Sequence, residues 1–161
     1  WGIVHKLDVS VPLETLAVCA RELQTVIANF PKVQEFGIFG HLADGNIHVE
    51  ILGPPAEEND VDTAVLECIA RYGGSISAEH GIGRMKVDHL DLSRSPEEIT
   101  TMRAIKKAWD PQGLMNPGVL LPVSGEKRAS GAAPEGLTRR GSVVSDSAAG
   151  PRRRVASRRG R

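Results

Sequence analysis

The sequence predicts an α+β domain, arranged as a ferredoxin-like layered sandwich, followed by a disordered C-terminal tail. Segments with strand-like alternation are interleaved with segments whose apolar residues recur at helical spacing. Two of the strand segments are neighbours in the chain and are joined by a short turn. After Pro122 the apolar periodicity disappears. We therefore assign the folded domain to residues 1–123 and the tail to residues 124–161.

The first half of the domain predicts a strand, a helix and a β-hairpin. Polar and β-branched residues alternate from His5 to Pro12, which is typical of a half-buried strand. A helix should follow and end at Pro31. Its predicted apolar face comprises Leu13, Leu16, Ala20, Leu23, Ile27 and Phe30. Residues 34–42 and 47–52 have strand character and flank the turn-forming residues Ala43–Asn46, so they predict a hairpin.

The second half predicts two helices separated by a glycine-rich loop. After the break at residues 53–55, a second amphipathic helix is expected to end at Gly73 and Gly74. Its apolar face comprises Val61, Val65, Cys68, Ile69 and Tyr72. The last helix should start at Ser95, with Pro96 at its first position and Glu98 closing a capping box. Its predicted apolar face comprises Ile99, Met102, Ile105 and Trp109.

The net charge of zero hides two oppositely charged segments. Residues 124–161 hold ten Lys or Arg and three Asp or Glu, a net of +7, which leaves 10 − 17 = −7 for residues 1–123. The tail is rich in Ser, Gly, Ala, Pro and Arg, a composition that buries too little apolar surface to fold. Its arginine clusters allow contact with nucleic acid or acidic lipid, but no aromatic residue is present for base stacking. A nucleic-acid-binding module is therefore the least favoured alternative.

Cysteine content and hydropathy bear on the compartment. Cys19 and Cys68 occupy apolar positions in helical segments, which indicates buried free thiols and a reducing compartment. No apolar stretch is long enough to span a membrane, and no signal peptide is recognisable. A cytoplasmic location is the expectation, with the mitochondrial matrix and peripheral membrane association as alternatives.

Two histidines flank the hairpin turn and could share a metal ion. His41 and His48 lie at the ends of the two predicted strands, which a hairpin brings close together. Imidazole is a common ligand of zinc and similar divalent ions, and a carboxylate often completes the set. Glu79, which precedes His80 in a glycine-rich loop, is the candidate third ligand. From these residues alone, ordinary turn and strand histidines remain the favoured alternative.

Four segments in order resemble the C-terminal part of the flavin-linked oxidases. They are HKLDVSVPLETL, GHLADGNIHVE, GGSISAEHGIGRMK and DPQGLMNPGVLLP, and the resemblance covers about residues 5–122. This family includes D-lactate dehydrogenases, the glycolate oxidase flavoprotein subunit and D-2-hydroxyglutarate dehydrogenases. The resemblance implies a cap domain of an FAD-dependent enzyme that oxidises a D-2-hydroxy acid, such as lactate, glycolate or 2-hydroxyglutarate, to the 2-oxo acid.

The resemblance also implies roles for six residues. The ligands of a divalent metal, zinc or manganese in the first place, would be His41, His48 and Glu79. His80 would contact the substrate hydroxyl and act as general base, and Lys6 would bind the substrate carboxylate. Asn116 would lie close to the flavin. The electron acceptor of the flavin is left undetermined.

The sequence departs from the family pattern at several positions. Ala43 stands where the turn usually has Gly, and Val119 replaces a common lysine. Glu50 stands where the hydroxyglutarate branch has a substrate-binding Asn, and its carboxylate would repel a second substrate carboxylate. Residues 81–83 lack the third glycine of a dinucleotide fingerprint. We therefore expect a fragment without its FAD-binding domain, inactive alone. The alternative is a catalytically inactive remnant that binds a divalent metal or a partner subunit.

Overall fold

Three strands and three α-helices make up residues 4–122, the part of the chain that the computed structural model describes. They are β1 (Val4–Ser10), α1 (Leu13–Ala28), β2 (Glu35–His41), β3 (Asn46–Leu52), α2 (Asp60–Arg71) and α3 (Pro96–Trp109). A 3₁₀ helix, Val87–Leu92, precedes α3. The predicted tail, residues 124–161, lies outside the described residues, as does its boundary at residue 123.

The strands form an antiparallel sheet in the order β1-β3-β2. Leu7 pairs with Val49 and Val9 with Ile47, so their side chains share one face of the sheet. The helices α1 and α2 cover this face and close the hydrophobic core. Core residues with no exposed surface include Val9, Cys19, Leu23, Ile27, Val49, Ile51, Val65, Cys68, Ile69 and Ile76. The two predicted free thiols are thus buried and unbridged.

The α+β prediction is confirmed, whereas the ferredoxin-like arrangement stays a prediction. That arrangement has four strands. Among the described residues, the outer edge of β1 carries a single isolated bridge, between Ser10 and Ser75. The two residues exchange backbone hydrogen bonds of 3.0 and 2.8 Å, but no regular strand continues from them.

The predicted hairpin is present and its tip is tied to β1. The Asp44 carboxylate accepts a hydrogen bond of 3.1 Å from the backbone N–H of Asn46. Gly45 has a φ of +73°, and a Cβ at this position would lie 2.1 Å from the carbonyl oxygen of Val11. The backbone N–H of Val11 in turn donates to the Gly45 carbonyl at 3.0 Å. The turn therefore needs glycine both for its conformation and for the close approach of β1.

The predicted face of α1 is correct except at its start. Leu23 and Ile27 are fully buried, and Leu16 packs against the core. Leu13, predicted to belong to that face, is 56% exposed. It occupies the first position of the helix, one turn before the residues that contact the core.

α3 begins as predicted, and its apolar face is only partly covered. The Ser95 side chain accepts from the backbone N–H of Glu98, and the Glu98 side chain accepts from that of Ser95, which completes the capping box. No residue of α3 is buried, and Trp109 is 81% exposed. The predicted apolar face is therefore half-buried at Ile99 and Met102 and exposed at Ile105 and Trp109. No helix in this range is long and apolar enough to cross a membrane.

Candidate metal and substrate site

The face of the sheet opposite the helices carries the polar residues that the sequence singled out. Side chains alternate between the two faces along each strand, and residues paired across neighbouring strands point to the same face. Three cross-strand rows result: His41–Asn46–Ser10, Phe39–His48–Asp8 and Gly37–Glu50–Lys6. The chemistry-bearing residues of the hairpin and of β1 are thus brought together by register alone.

The three predicted metal ligands converge above this face. One ligand atom each from His41, His48 and Glu79 lies within 4.8 Å of the others. The Nε2 atom of His41 is 3.7 Å from Oε1 of Glu79, and the rings of His41 and His48 are 5.5 Å apart between centroids. His41 and Glu79 are exposed and His48 is half-buried. Exposed side chains with nearby donor atoms can close around one ion by small rotations.

Asn46 holds the carboxylate of Glu79. Its side-chain Nδ2 donates a short hydrogen bond to Oε1 of Glu79. Asn46 is only 4% exposed, and its Oδ1 atom is buried without a hydrogen-bond partner among the described residues. Asn46 therefore restricts the position of Glu79 from the side of the hairpin turn.

Asp8 lies beneath the loop that carries Glu79 and His80. It is fully buried, and its Oδ2 atom accepts hydrogen bonds from the backbone N–H groups of Ala78, Glu79 and His80 at 3.1, 2.7 and 2.8 Å. Burial opposes ionisation and is the largest single influence on the pKa of Asp8. The N–H donors of His80 and Glu79, with the positive charges of His80 and Lys86, together outweigh it and lower that pKa.

His80 lies beside His48 and lines a cleft. The two rings are stacked with their centroids 6.0 Å apart. The cleft has a volume of about 470 Å³, and Lys6, Arg84 and Lys86 line it together with His80. Two carboxylates, Asp62 and Asp88, also line the cleft. Its dimensions suit a small organic acid.

Lys6 does not present a free cation to this cleft. Its Nζ atom lies 3.1 Å from Oε1 of Glu50, the cross-strand neighbour on the same face. The two side chains are 66% and 41% exposed, so water screens the pair and its stabilising effect is small. The nearby carboxylate nevertheless reduces the attraction of Lys6 for a second negative charge.

Sequence reasoning missed the roles of Asp8, Asn46 and Lys86. Lys86 is only 7% exposed, and its Nζ donates to the backbone carbonyl of Asp8 at 2.9 Å. Burial lowers the pKa of Lys86, an effect that the negative charge of Asp8 opposes. The one available indication was Asp8 itself, since Asp is disfavoured inside a strand.

Two further residues that the sequence singled out lie outside the cluster of proposed ligands, and the position of Asn116 near the flavin stays a prediction. Asn116 lies in the segment after α3, is exposed, and has a φ of +47°. It does not line the cleft with His80, so the structure does not bring it to the metal ligands. Ala43, where a glycine was expected, has no positive φ, so alanine fits this turn position without strain.

Comparisons with known proteins identify the family to which the chain belongs. Residues 2–120 match the family described as "FAD linked oxidases, C-terminal domain", and the chain belongs to this family. The predicted resemblance is therefore confirmed at the level of the family.

Individual relatives are similar over the same region. A D-2-hydroxyglutarate dehydrogenase of Stutzerimonas stutzeri (strain A1501) is 41% identical over 122 residues, which are 71% of this chain and 26% of that protein. The mitochondrial D-2-hydroxyglutarate dehydrogenase of Arabidopsis thaliana is 39% identical over 128 residues, 76% of this chain and 22% of that protein. The glycolate oxidase subunit GlcD of Escherichia coli (strain K12) is 43% identical over 88 residues, 51% of this chain and 18% of that protein. The chain thus spans about a quarter of the first two relatives.

Proposed function

We propose that this chain supplies the metal- and substrate-binding part of an FAD-dependent oxidoreductase that converts a D-2-hydroxy acid to the 2-oxo acid. The observation that carries the proposal is the convergence of His41, His48 and Glu79 beside His80 and a cleft lined by basic and acidic side chains. Family membership implies FAD, and the relatives named above act on hydroxy acids according to their names.

The proposed metal ligands suit a divalent ion such as zinc or manganese. Two imidazoles and one carboxylate form a known set for a catalytic ion that keeps a position open for substrate. The ligand atoms already lie within 4.8 Å of one another. When bound, such an ion supplies Lewis-acid chemistry to a coordinated hydroxyl and carboxylate.

His80 is the residue proposed to accept the proton of the substrate hydroxyl. Imidazole is suited to this task near neutral pH. The His80 ring lies next to the proposed ligand His48 and lines the cleft. Its backbone N–H is bound by the buried carboxylate of Asp8, which limits the movement of the loop. FAD would supply the hydride-accepting chemistry of the reaction, and Asn116 is the residue proposed to lie near it.

The ion pair between Lys6 and Glu50 favours a substrate without a second carboxylate. A dicarboxylate such as 2-hydroxyglutarate would place a negative charge near this row, where Glu50 offsets the charge of Lys6. Gly37, the third member of the row, adds no side chain, and a Cβ there would meet no atom within 4 Å. We therefore propose a monocarboxylate with a small side chain, such as lactate or glycolate.

Isothermal titration of the 161-residue chain with Zn²⁺ and Mn²⁺ tests the metal centre. Saturable binding at one site is expected, and Glu79→Gln should weaken it at least about tenfold because one charged ligand is lost. Glu58→Gln is the matched control, since Glu58 pairs with Lys32 and lies outside the cluster. Non-saturable binding, or equal affinity of wild type and Glu79→Gln, would contradict the metal centre.

A chimera tests the reaction. Residues 2–120 of this chain replace the matching segment of the Stutzerimonas enzyme, and oxidation of D-lactate, glycolate and D-2-hydroxyglutarate is followed with an artificial electron acceptor. Flavin absorbance reports whether the chimera has folded with FAD. Oxidation of a D-acid but not its L-enantiomer, abolished by His80→Asn, is expected. A flavin- and metal-loaded chimera without activity would favour the inactive, metal- or partner-binding alternative.

A further inference from the structure

We infer that Asp8 is the positioning residue of the site, fixing both the Glu79–His80 segment and the ring orientation of His48. The inference deepens the proposed function, since it concerns the same site. It rests on two separate contacts, one for each oxygen of the Asp8 carboxylate.

The first oxygen sets the backbone of the loop. Oδ2 accepts three consecutive backbone N–H groups, those of residues 78, 79 and 80, at distances between 2.7 and 3.1 Å. Three N–H groups that converge on one buried oxygen hold successive peptide units in one orientation. The Cα positions of Glu79 and His80 are thereby fixed relative to β1.

The second oxygen faces His48. Oδ1 of Asp8 is buried without a hydrogen-bond partner among the described residues and lies 3.7 Å from Nδ1 of His48. A buried carboxylate oxygen is stabilised by a donor, and Nδ1–H is the group that faces it. With the proton on Nδ1, the Nε2 lone pair of His48 is available to the ion. A carboxylate behind a histidine ligand fixes its tautomer in this way in many metal sites.

The strand pairing and Lys86 keep Asp8 in place. Asp8 and His48 are cross-strand partners, so the sheet register holds them side by side. The Nζ atom of Lys86 donates to the Asp8 carbonyl oxygen at 2.9 Å, and its positive charge lies near the buried carboxylate. Asp8 and His80 are 72 positions apart in the sequence, so the strand and the loop come into contact only when the chain folds.

The isosteric variant Asp8→Asn separates the two contacts. The three N–H donors require the amide oxygen at the place of Oδ2, which leaves the NH₂ group facing Nδ1 of His48. Two donors cannot face each other, so His48 should switch from the Nδ1–H to the Nε2–H tautomer. Long-range ¹H–¹⁵N correlation spectra of the neutral rings in the metal-free, 161-residue chain measure this directly.

The spectra give a clear decision. Nδ1–H in the wild type and Nε2–H in Asp8→Asn support the inference. An Nε2–H tautomer in the wild type, or an unchanged tautomer in the variant, overturns it. The wild-type spectrum alone can decide, so the inference remains testable even where Asp8→Asn does not fold.

Zinc affinity provides a second measurement. Asp8→Asn should bind Zn²⁺ about 10–100-fold more weakly than the wild type, the usual effect of losing such a partner. Asp110→Asn is the matched control: Asp110 also accepts consecutive backbone N–H groups, from Leu114 and Met115 at 2.9 and 2.8 Å, but away from the cluster. If Asp8→Asn binds zinc within twofold of the wild type, the inference fails. If the wild type binds no zinc, the proposed metal centre fails, and the tautomer comparison still decides the role of Asp8.

Discussion

Three carboxylates on or beside the polar face of the sheet differ in their surroundings, and these surroundings distinguish their roles. Asp8 is fully buried, and one of its carboxylate oxygens accepts hydrogen bonds from three backbone N–H groups. The Glu79 side chain is 53% exposed and lies among candidate ligands. Glu50 is 41% exposed and faces Lys6. All three side chains are carboxylates, so residue type does not distinguish their roles, whereas burial and the hydrogen-bond or ion-pair partners do.

Because Glu50 is proposed to offset the charge of Lys6, removal of its carboxylate should change which acid the site prefers. In the zinc-loaded chain, Glu50→Gln should improve binding of D-2-hydroxyglutarate relative to D-lactate, because Lys6 no longer faces a competing carboxylate. An exposed pair of this kind is worth about 0.2–1 kcal/mol, which corresponds to a change of up to about fivefold. NMR titration of both acids measures the ratio of dissociation constants. Glu35→Gln, on the same face of the sheet, is the control, and an equal gain for both acids would speak against the assignment.

The His5–Asp62 pair predicts that stability falls as the pH rises. Nδ1 of His5 lies 3.0 and 3.2 Å from the two Asp62 oxygens, and Nε2 lies 3.3 and 3.2 Å from the carbonyls of Pro54 and Pro55. All four are acceptors, which suits a doubly protonated ring. Burial lowers the pKa of His5 and is the largest single influence, but Asp62 and the two carbonyls outweigh it and raise the pKa above 6.5.

The sign of the pH effect follows from that direction. A raised folded-state pKa stabilises the fold fully below the unfolded pKa, and this stabilisation is lost as the pH rises through the folded pKa. The free energy of unfolding, measured with urea from about pH 6 to about pH 8.5, should therefore decline. In the His5→Gln variant, the part of this decline that comes from deprotonation of His5 should be absent. Parallel pH profiles for the two proteins would show that His5 is not the titrating group.

At the scale of single elements, the sequence predicted what local residues determine and missed what distant residues determine. The hairpin followed from Asp44, Gly45 and Asn46, and the start of α3 from its capping box. The proximity of His41 and His48 followed from hairpin geometry, and Glu79 was a candidate third member because it precedes His80 in a glycine-rich loop. Asp8 escaped notice because its partners lie 70 to 72 positions away along the chain. Periodicity marked the apolar face of α3 but could not show how far that face is covered.

The turn between β2 and β3 predicts a sharp difference between two glycines. Gly45→Ala should lower the free energy of unfolding by at least about 1 kcal/mol, because a non-glycine residue is strained at positive φ. The added Cβ would also lie 2.1 Å from the Val11 carbonyl oxygen. Gly37→Ala is the control, since a Cβ there meets nothing within 4 Å. Urea unfolding compares the two variants, and equal losses would refute this account of the turn.

For the whole molecule, the sheet separates the residues that stabilise the fold from those proposed to act on substrate. Core side chains of β1 and β3 face α1 and α2, while Asp8, His48 and their neighbours face the other way. The two regions meet where the loop around Glu79 contacts Asp8 and where the core residues Leu7 and Leu66 line the cleft beside His80. The proposed metal ligands lie on the polar face, so stability and metal binding should respond to different substitutions.

A conservative core substitution tests this separation. Ile69→Val removes one methylene group from a fully buried side chain of α2 and should lower the free energy of unfolding by about 0.5–1.5 kcal/mol. The zinc affinity of the folded protein should stay within about twofold of wild type, since Ile69 packs on the face away from the ligands. Chemical unfolding and calorimetric titration measure the two quantities. A loss of zinc affinity that matches the loss of stability would indicate that the two faces are coupled.

The alternation of side chains along the strands also has a consequence for descent. Lys6, Glu50 and Gly37 are adjacent across the sheet, and they belong to the face opposite the apolar core. Positions that build the core and positions that face away from it alternate along the same strands. A lineage can therefore exchange residues on the polar face one at a time while the inherited packing is kept.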